Sequence, residues 1–588
     1  MEPKEFYTSN LKKATIEIER LKKVLFKFSM LRLSLFLGII LFSYLFRDLL
    51  GLVALIITAG IVLFLLFVSK FTDVKKQLEY NERFVQINQI EINALNGDYS
   101  ALKKGTQFIF DHHFYNQDID LFGEGSLFQR VCRSETINGE KELAKWLNSN
   151  DITDIENKQK IVKEMADKKA WRQDYQLTAS LIEKTQQTGT MLHWIKSYQS
   201  YVPSFFRFVP LIFSIASIAL VCVYFLDILP GKYLFFWFLF GLGITGKYAK
   251  KTSLLLNNSS ELQSTFRQYG HLLASIEMEK FSNEFLVEKQ RLINTEGENA
   301  SELLRNFTQS IDLLATRNNL LLGMPFNGFL LWDLMAAYRV EKWLFNFKDT
   351  VEHWFAVVEF FDAINSFGNY AFNHPDSIYP SITDEKTNLV ATELGHPLLP
   401  KKKLVTNGIS ILPEEFFIVT GANMAGKSTF LRTVALNIVM ANCGLPVNAA
   451  TFSYHPIKLI SSMRTSDSLQ NDESYFFSEL KRLKFIVDEL KTEKYFIILD
   501  EILKGTNSKD KAEGSKKFVE KLVNSHSTGI IATHDLSLCT LSASLPQVKN
   551  HFFDAEVIND ELFFDYTFKE GVCQNMNASF LLKKMEII

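Results

Sequence analysis

Uncharged apolar residues are gathered into a few long blocks. Leu33 to Phe46 carries no charge, Arg47 and Asp48 interrupt, and Leu49 to Val68 then runs twenty residues without one. A second pair follows: Phe208 to Leu226, a short break from Asp227 to Lys232, then Tyr233 to Gly246. Twenty helical residues span the roughly 30 Å hydrocarbon layer of a bilayer. The fourteen-residue blocks 33–46 and 233–246 reach only about 21 Å, so they call for local thinning or for Arg32 and Lys247 to snorkel to the interface. The pattern predicts two transmembrane hairpins, 31–70 and 203–248. The competing reading is buried core helices or re-entrant hairpins. A signal peptide is not expected, because the first block starts about thirty residues in and has no small-residue cleavage site after it.

Elsewhere the texture is amphipathic. Residues 72–117 read as a helix and loop, while 127–147 and 155–181 show helical spacing of apolar positions. Asn257 to Phe372 is again helical and Phe-rich, with Gly323-Met-Pro-Phe326 as a predicted break. From Leu389 onward, short strands such as 416–420, 495–499 and 529–533 alternate with helical stretches. That alternation predicts a mainly parallel, doubly wound α/β sheet. The expected organisation is a basic helix (1–30), hairpin one (31–70), helical core (71–202), hairpin two (203–248), a second core or lever segment (249–388) and an α/β domain (389–588).

Charge sharpens this picture. Lys and Arg number 64 against 66 Asp and Glu, a net charge of −2, so no global basic field draws the chain to nucleic acid. Lysines and arginines crowd the outer flanks of both hairpins, while the tips hold only Arg47 and Lys232. The positive-inside rule then places both termini and the soluble mass in the cytoplasm, as a multi-pass protein of the inner membrane. Neither hairpin carries an acidic pair or a polar-lined broken helix, so no small-molecule transport substrate is expected. The five cysteines, 132, 222, 443, 539 and 573, form no Cys-x-x-Cys pair, which argues against a zinc site or disulfide framework.

Gly421-Ala422-Asn423-Met424-Ala425-Gly426-Lys427-Ser428-Thr429 matches the P-loop and sits between a predicted strand and a predicted helix. Glycines let the backbone curl so that its N–H groups face phosphate oxygens, Lys427 adds a positive charge there, and the Ser428 hydroxyl is placed to ligate Mg²⁺. Downstream, Tyr495-Phe-Ile-Ile-Leu-Asp500-Glu501 is an apolar strand ending in two carboxylates. Asp500 is the expected second Mg²⁺ ligand and Glu501 the group that polarises the attacking water. His534, after another apolar strand, is the candidate γ-phosphate sensor. Any one of these acids or the lone histidine is weak evidence; beside the P-loop they point to Mg-ATP hydrolysis.

The P-loop with Asn423-Met424 inside it resembles the MutS family of DNA mismatch-repair ATPases. Ser466-Asp-Ser-Leu-Gln-Asn-Asp-Glu-Ser474 through Glu479, Asp500-Glu-Ile-Leu-Lys-Gly505-Thr506 and Thr533-His534 are similar to that family in the same order. Fainter likenesses are Asp118-Ile-Asp-Leu-Phe122 with its following segment, and Glu359-Phe-Phe-Asp-Ala-Ile364. The resemblance implies an ABC-like P-loop ATPase domain behind a helical core, acting as a homodimer. Each nucleotide would lie between subunits, with Ser474 of one chain reaching the γ-phosphate held by the other. DNA contact is implied by the family alone. Three departures stand out. The Phe-x-Glu mismatch wedge of the family has no counterpart, its region being replaced by a hairpin. Asp472-Glu473 stands where the family carries Gly-Arg, removing a cation near the nucleotide and weakening ATP-driven closure. No nuclease-like extension is expected after the ATPase segment. The leading expectation is a membrane-anchored ATP-driven clamp, with a half-transporter or a nucleic-acid-independent scaffold as the alternatives.

Overall fold

The computed structural model describes the chain apart from residues 1, 111, 183–187, 296, 385–387, 464–474, 505–506, 559–560 and 575–588. It divides into two compact units, Met1–Lys103 and Lys104–Ile588. The first is a pair of long helices, α1 (Pro3–Leu45) and α2 (Leu50–Leu95), joined by a tight turn. They run side by side in opposite directions. Lys4 bonds Asn96 at 3.3 Å near one end, Lys22 pairs with Glu82 at 3.7 Å midway, and Phe28 meets Phe67 further along.

The basic stretch 1–30 is therefore not a separate element. No proline or strong breaker lies between it and the apolar block, so α1 passes straight through. For the same reason α2 crosses residue 70 and continues to Leu95, and the unit ends at Lys103. Both helices are long and apolar enough to cross a membrane. Leu33, Phe36, Ile40 and Leu65 on their apolar stretches are each more than half exposed.

In the second unit a hairpin of α3 (Val209–Phe225) and α4 (Gly231–Met278) leads into the helical core. α4 runs on from the hairpin without interruption, so residue 248 lies inside it. Further along come α5 (Ala300–Ala315), α6 (Leu320–Leu330), α7 (Trp332–Phe347) and α8 (Val351–Asn373). They close around packed aromatic rings, among them Phe307 stacked on Trp343 at 4.1 Å and Phe266 tilted against Phe307 at 5.0 Å. The break predicted at Gly323–Phe326 falls elsewhere. α6 runs through it with Pro325 inside the helix, and the chain turns instead at Thr316–Asn319 and at Leu331, whose φ is 52°. Proline deletes a single backbone bond, and the Asn319 side chain caps the start by accepting from Leu321 N at 3.1 Å.

The α/β part is built on a six-stranded sheet. Its strands are β1 (Phe416–Gly421), β2 (Lys458–Ser462), β3 (Tyr495–Asp500), β4 (Thr528–Ala532), β5 (Val548–Phe553) and β6 (Phe568–Glu570), in the spatial order β6-β5-β1-β4-β3-β2. All neighbours are parallel except β6, which runs against β5. β1, β3 and β4 are buried on both faces, which explains why they read as continuous apolar runs. α9 (Lys427–Asn442), α10 (Tyr475–Glu489) and α11 (Ser508–Asn524) accompany the sheet. A smaller four-stranded sheet (381–382, 389–394, 407–411, 451–454) stands beside it. The fold is mixed α/β behind a helical region, with a mainly parallel principal sheet.

Candidate nucleotide site

In an open parallel sheet, ligands gather where strands deliver their C-terminal ends. Register fixes what lies there: Ala532 of β4 stands opposite Asp500 on one side and Val419 on the other. The residues just beyond these, Thr533-His534, Glu501 and Gly421, are therefore side by side at one edge.

The loop from β1 to α9 has the shape its glycines permit. Gly421 has φ 146° and a Cβ there would overlap the Phe553 carbonyl. Gly426 has φ 103°, and a Cβ would come within 3.1 Å of the Tyr566 ring. α9 starts immediately after, so its unpaired N–H groups face the loop. Lys427, 7% exposed, folds back to donate to the Gly421 carbonyl at 2.8 Å and the Ala422 carbonyl at 2.9 Å. Its ammonium lies 3.4 Å from His534 Nε2. Burial pushes the Lys427 pKa down, while Asp500 and Glu501 pull it back up. Burial and then the Lys427 charge push His534 down as well, which favours a neutral imidazole.

Asn423 through Thr429, Asp500, Glu501 and His534 all line one cavity of about 1030 Å³. That is ample for a drug-sized or nucleotide ligand. Gly421 and Ala422 stand behind the loop as acceptors for Lys427. Ser474 lies outside the described residues, as do Ser466–Glu473 and Gly505-Thr506. For Mg²⁺, the Ser428 hydroxyl and the Asp500 carboxylate are hard oxygen donors on the same cavity, and this set fits an ion that takes one or two protein oxygens and completes its shell with phosphate and water. Among the described residues no group of three His, Cys, Asp or Glu could hold a metal by itself.

Some features were not visible in the motif. Glu501 adopts φ 51°, a left-handed backbone that costs a non-glycine residue about 1–2 kcal/mol. Its N–H bonds the Ala532 carbonyl at 2.9 Å, and its carboxylate pairs with Lys511 at 2.9 Å. Burial works against the Glu501 charge, but Lys511 outweighs it and the pKa sits below its ordinary value. Lys511 belongs to α11, and only the fold of β3 and α11 brings it back ten residues later. Lys402, Lys504, His396 and Tyr566 also line the cavity, from segments without a phosphate-binding signature.

The site is tied to the helical region. Arg432 on α9 donates to the Asp118 carbonyl at 3.1 Å and pairs with Asp120 at 3.4 Å. Ser461, at the end of β2, donates to the Asp118 carboxylate at 2.6 Å. Arg482 on α10 reaches the His113 and Phe114 carbonyls, each at 2.7 Å.

Residues 417–584 match the family MutS domain V. Among similar curated proteins, "MutS protein homolog 4" of Homo sapiens is 29% identical over 229 residues, covering 37% of this chain and 24% of that protein. "DNA mismatch repair protein MutS" of Methanococcoides burtonii is 31% identical over 214 residues, covering 34% and 24%. The protein of that name in Staphylococcus aureus is 28% identical over 269 residues, covering 44% and 30%. The chain thus spans roughly a quarter to a third of the length of these relatives. The match starts one residue into β1 and takes in the loop, β3 and β4 with Lys427, Asp500, Glu501 and His534, so this segment of the chain is similar to MutS domain V.

Proposed function

We propose that this protein binds and hydrolyses ATP with Mg²⁺ in the cavity at the ends of β1, β3 and β4, and that it does so as a membrane-anchored homodimeric clamp. The observation that carries the reading is the convergence of Lys427, Ser428, Asp500, Glu501 and His534 on one cavity. The loop N–H groups and the α9 N-terminus suit the phosphates of the substrate. Lys427, now satisfied by two carbonyls of its own loop, is the cation that would turn to the β- and γ-phosphates. Ser428 and Asp500 would hold Mg²⁺, which supplies charge neutralisation on the phosphate oxygens. Glu501 is the group that orients and polarises the attacking water, and neutral His534 reads the γ-phosphate from the adjoining strand.

Met424 stands on the cavity rim and is 78% exposed, so this side is free to receive a second subunit. Ser474 of that subunit is the residue assigned to the γ-phosphate. The names of the relatives support a role on DNA, in mismatch repair, and the apolar helices support a bilayer anchor with the ATPase on the cytoplasmic side of the inner membrane. A scaffold switched by ATP without nucleic acid is the second reading, favoured by the net charge of −2. A titration with duplex DNA at rising salt separates them: absence of binding at low ionic strength removes the DNA clamp. For the chemistry, Lys427→Ala should abolish nucleotide binding, whereas Glu501→Gln should bind ATP nearly as the parent does, stop hydrolysis and accumulate a closed dimer. If Glu501→Gln turns ATP over at the parental rate, Glu501 is not the base.

A further inference from the structure

Residues 318–332 form a second apolar excursion from the helical core, and no charge occurs within them. The charges that bracket the segment, Arg317 and Asp333, pair with each other at 3.4 Å and are both largely buried, closing the excursion at its base. Trp332 fastens the same base by donating to the Leu313 carbonyl at 2.9 Å. Between these ties lies α6, eleven residues or about 16 Å long, too short to cross a bilayer.

α6 is docked on the second hairpin by the contacts that close-packed membrane helices use. Gly328 faces Gly241 of α4 so tightly that a Cβ on Gly241 would overlap the Gly328 carbonyl, and one on Gly328 would overlap the Phe238 ring. Ser217 of α3 donates to the Phe329 carbonyl at 2.6 Å and accepts from the Trp237 indole at 2.8 Å. Small residues at a helix crossing and hydroxyls bonded to backbone are how helices associate when no hydrophobic drive separates them from their surroundings. The outer side of α6 is bare: Leu321 is 85% exposed, Met324 53% and Leu322 43%. It continues the exposed surface of Ile215, Ile218 and Phe236 on the hairpin, each about 60% exposed.

Resting on the membrane reading above, we infer that α6 is a third bilayer-contacting element, a re-entrant helix that together with α3 and α4 forms one lipid-embedded block. The occupant of this surface is a phospholipid bilayer with anionic headgroups. Exposed Arg207, Lys247, Lys250 and Lys251 flank the apolar faces at the core end of the hairpin, where such headgroups would lie.

The test uses the full chain in vesicles of phosphatidylcholine and phosphatidylglycerol. Cys222 is exposed on α3 while Cys132, Cys443, Cys539 and Cys573 are buried, so a spin label on native Cys222 reports on the hairpin. In a Cys222→Ser background, Leu321→Cys and Met324→Cys carry the label on α6, and Phe345→Cys, at a position 74% exposed on α7, serves as the water-facing control. Collision with oxygen is compared with collision with a nickel chelate. Labels at 321 and 324 should favour oxygen over nickel by roughly tenfold relative to 345, because a polar chelate is excluded from hydrocarbon. If Cys222 favours oxygen but 321 and 324 match 345, α6 is outside the bilayer and this inference falls alone. If all four positions favour nickel, the membrane reading of the second hairpin falls with it.

Discussion

Lys511 is the perturbation that most directly interrogates the proposed hydrolytic centre. Its ammonium lies 2.9 Å from Glu501 Oε1, and the two side chains are 24% and 28% exposed. Two unit charges at that separation attract by roughly 6 kcal/mol at an effective dielectric of 20, a ceiling before desolvation and screening. Measured pairs of this partly wet kind retain about 1 kcal/mol. For Glu501 to turn toward a water, that pair must be given up, so it acts as a brake of about 1 kcal/mol, or about fivefold in rate. Lys511→Met should therefore raise the ATP turnover rate about fivefold at neutral to mildly alkaline pH, where carboxylates are ordinarily ionised. The sign reverses on the acid side. Lys511 holds the Glu501 pKa below its ordinary value against the pull of burial, so without it the carboxylate takes up a proton at higher pH. The ratio of variant to parent should start above one and fall as pH is lowered. Steady-state hydrolysis at saturating ATP across pH is the assay, with Lys511→Arg expected to follow the parent. A variant slower than the parent at neutral pH, or a ratio that stays flat with pH, refutes the brake.

Three further outcomes are expected. Gly426→Ala puts a Cβ against Tyr566 at φ 103° and should weaken nucleotide binding, read by fluorescent-nucleotide titration, while circular dichroism stays unchanged. Asp362 is buried and accepts from Glu135 N, Thr136 N and Thr136 Oγ1, so Asp362→Ala strands these donors and should cost about 3 kcal/mol, seen as a lowered Tm. Burial lifts this carboxyl to about 6 from an ordinary 3.8, so the folded state binds the proton more tightly and the group favours folding increasingly as pH falls from 6 toward 3.8; the variant should lose that dependence. Arg432→Ala removes the tie from α9 to Asp118 and Asp120 and should leave ATP binding intact while reducing the ATP-induced protection of residues 113–122 in hydrogen exchange.

The strands that build the site were legible because they are buried on both faces, so Phe416–Gly421 and Tyr495–Asp500 appear as unbroken apolar runs that end where the chemistry begins. The loop was legible because its glycines are demanded by φ values and by the Phe553 carbonyl and Tyr566 ring, which leave no room for side chains. Lys511 was not, since its meeting with Glu501 depends on how α11 returns along the sheet. The left-handed turn at Glu501 was hidden too, because nothing in the letters Asp-Glu distinguishes it from a plain strand end. α6 escaped for the opposite reason. Pro325 and Gly323 signal a break by local propensity, whereas capping by Asn319 and packing on Gly241 sustain a helix through them.

The Asp118 segment gains a physical role from this arrangement. Three independent parts of the sheet domain hold it: α9, which starts at the phosphate loop, the end of β2, and α10, which starts one residue after Ser474. α9 cannot shift at its first turn without carrying Arg432, because a helix that is buried along its length moves as a rigid rod. α10 in turn carries Arg482, whose guanidinium is bonded to the His113 and Phe114 carbonyls just before Asp118. Asp118 to Phe122 then leads by a short helix to Thr136, the cap of the core helix Ile137–Asn148, which donates to Asp362 on α8. On the proposed reading, a change at a bound triphosphate and a change at a subunit seam would reach the same turn by separate helices, and would pass to α8 through the bonds that Arg133, Ser134 and Thr136 make to Ser366 and Asp362. A joint held from two sides in this way would let nucleotide and partner bias the same equilibrium of the helical core, which is what the proposed clamp requires.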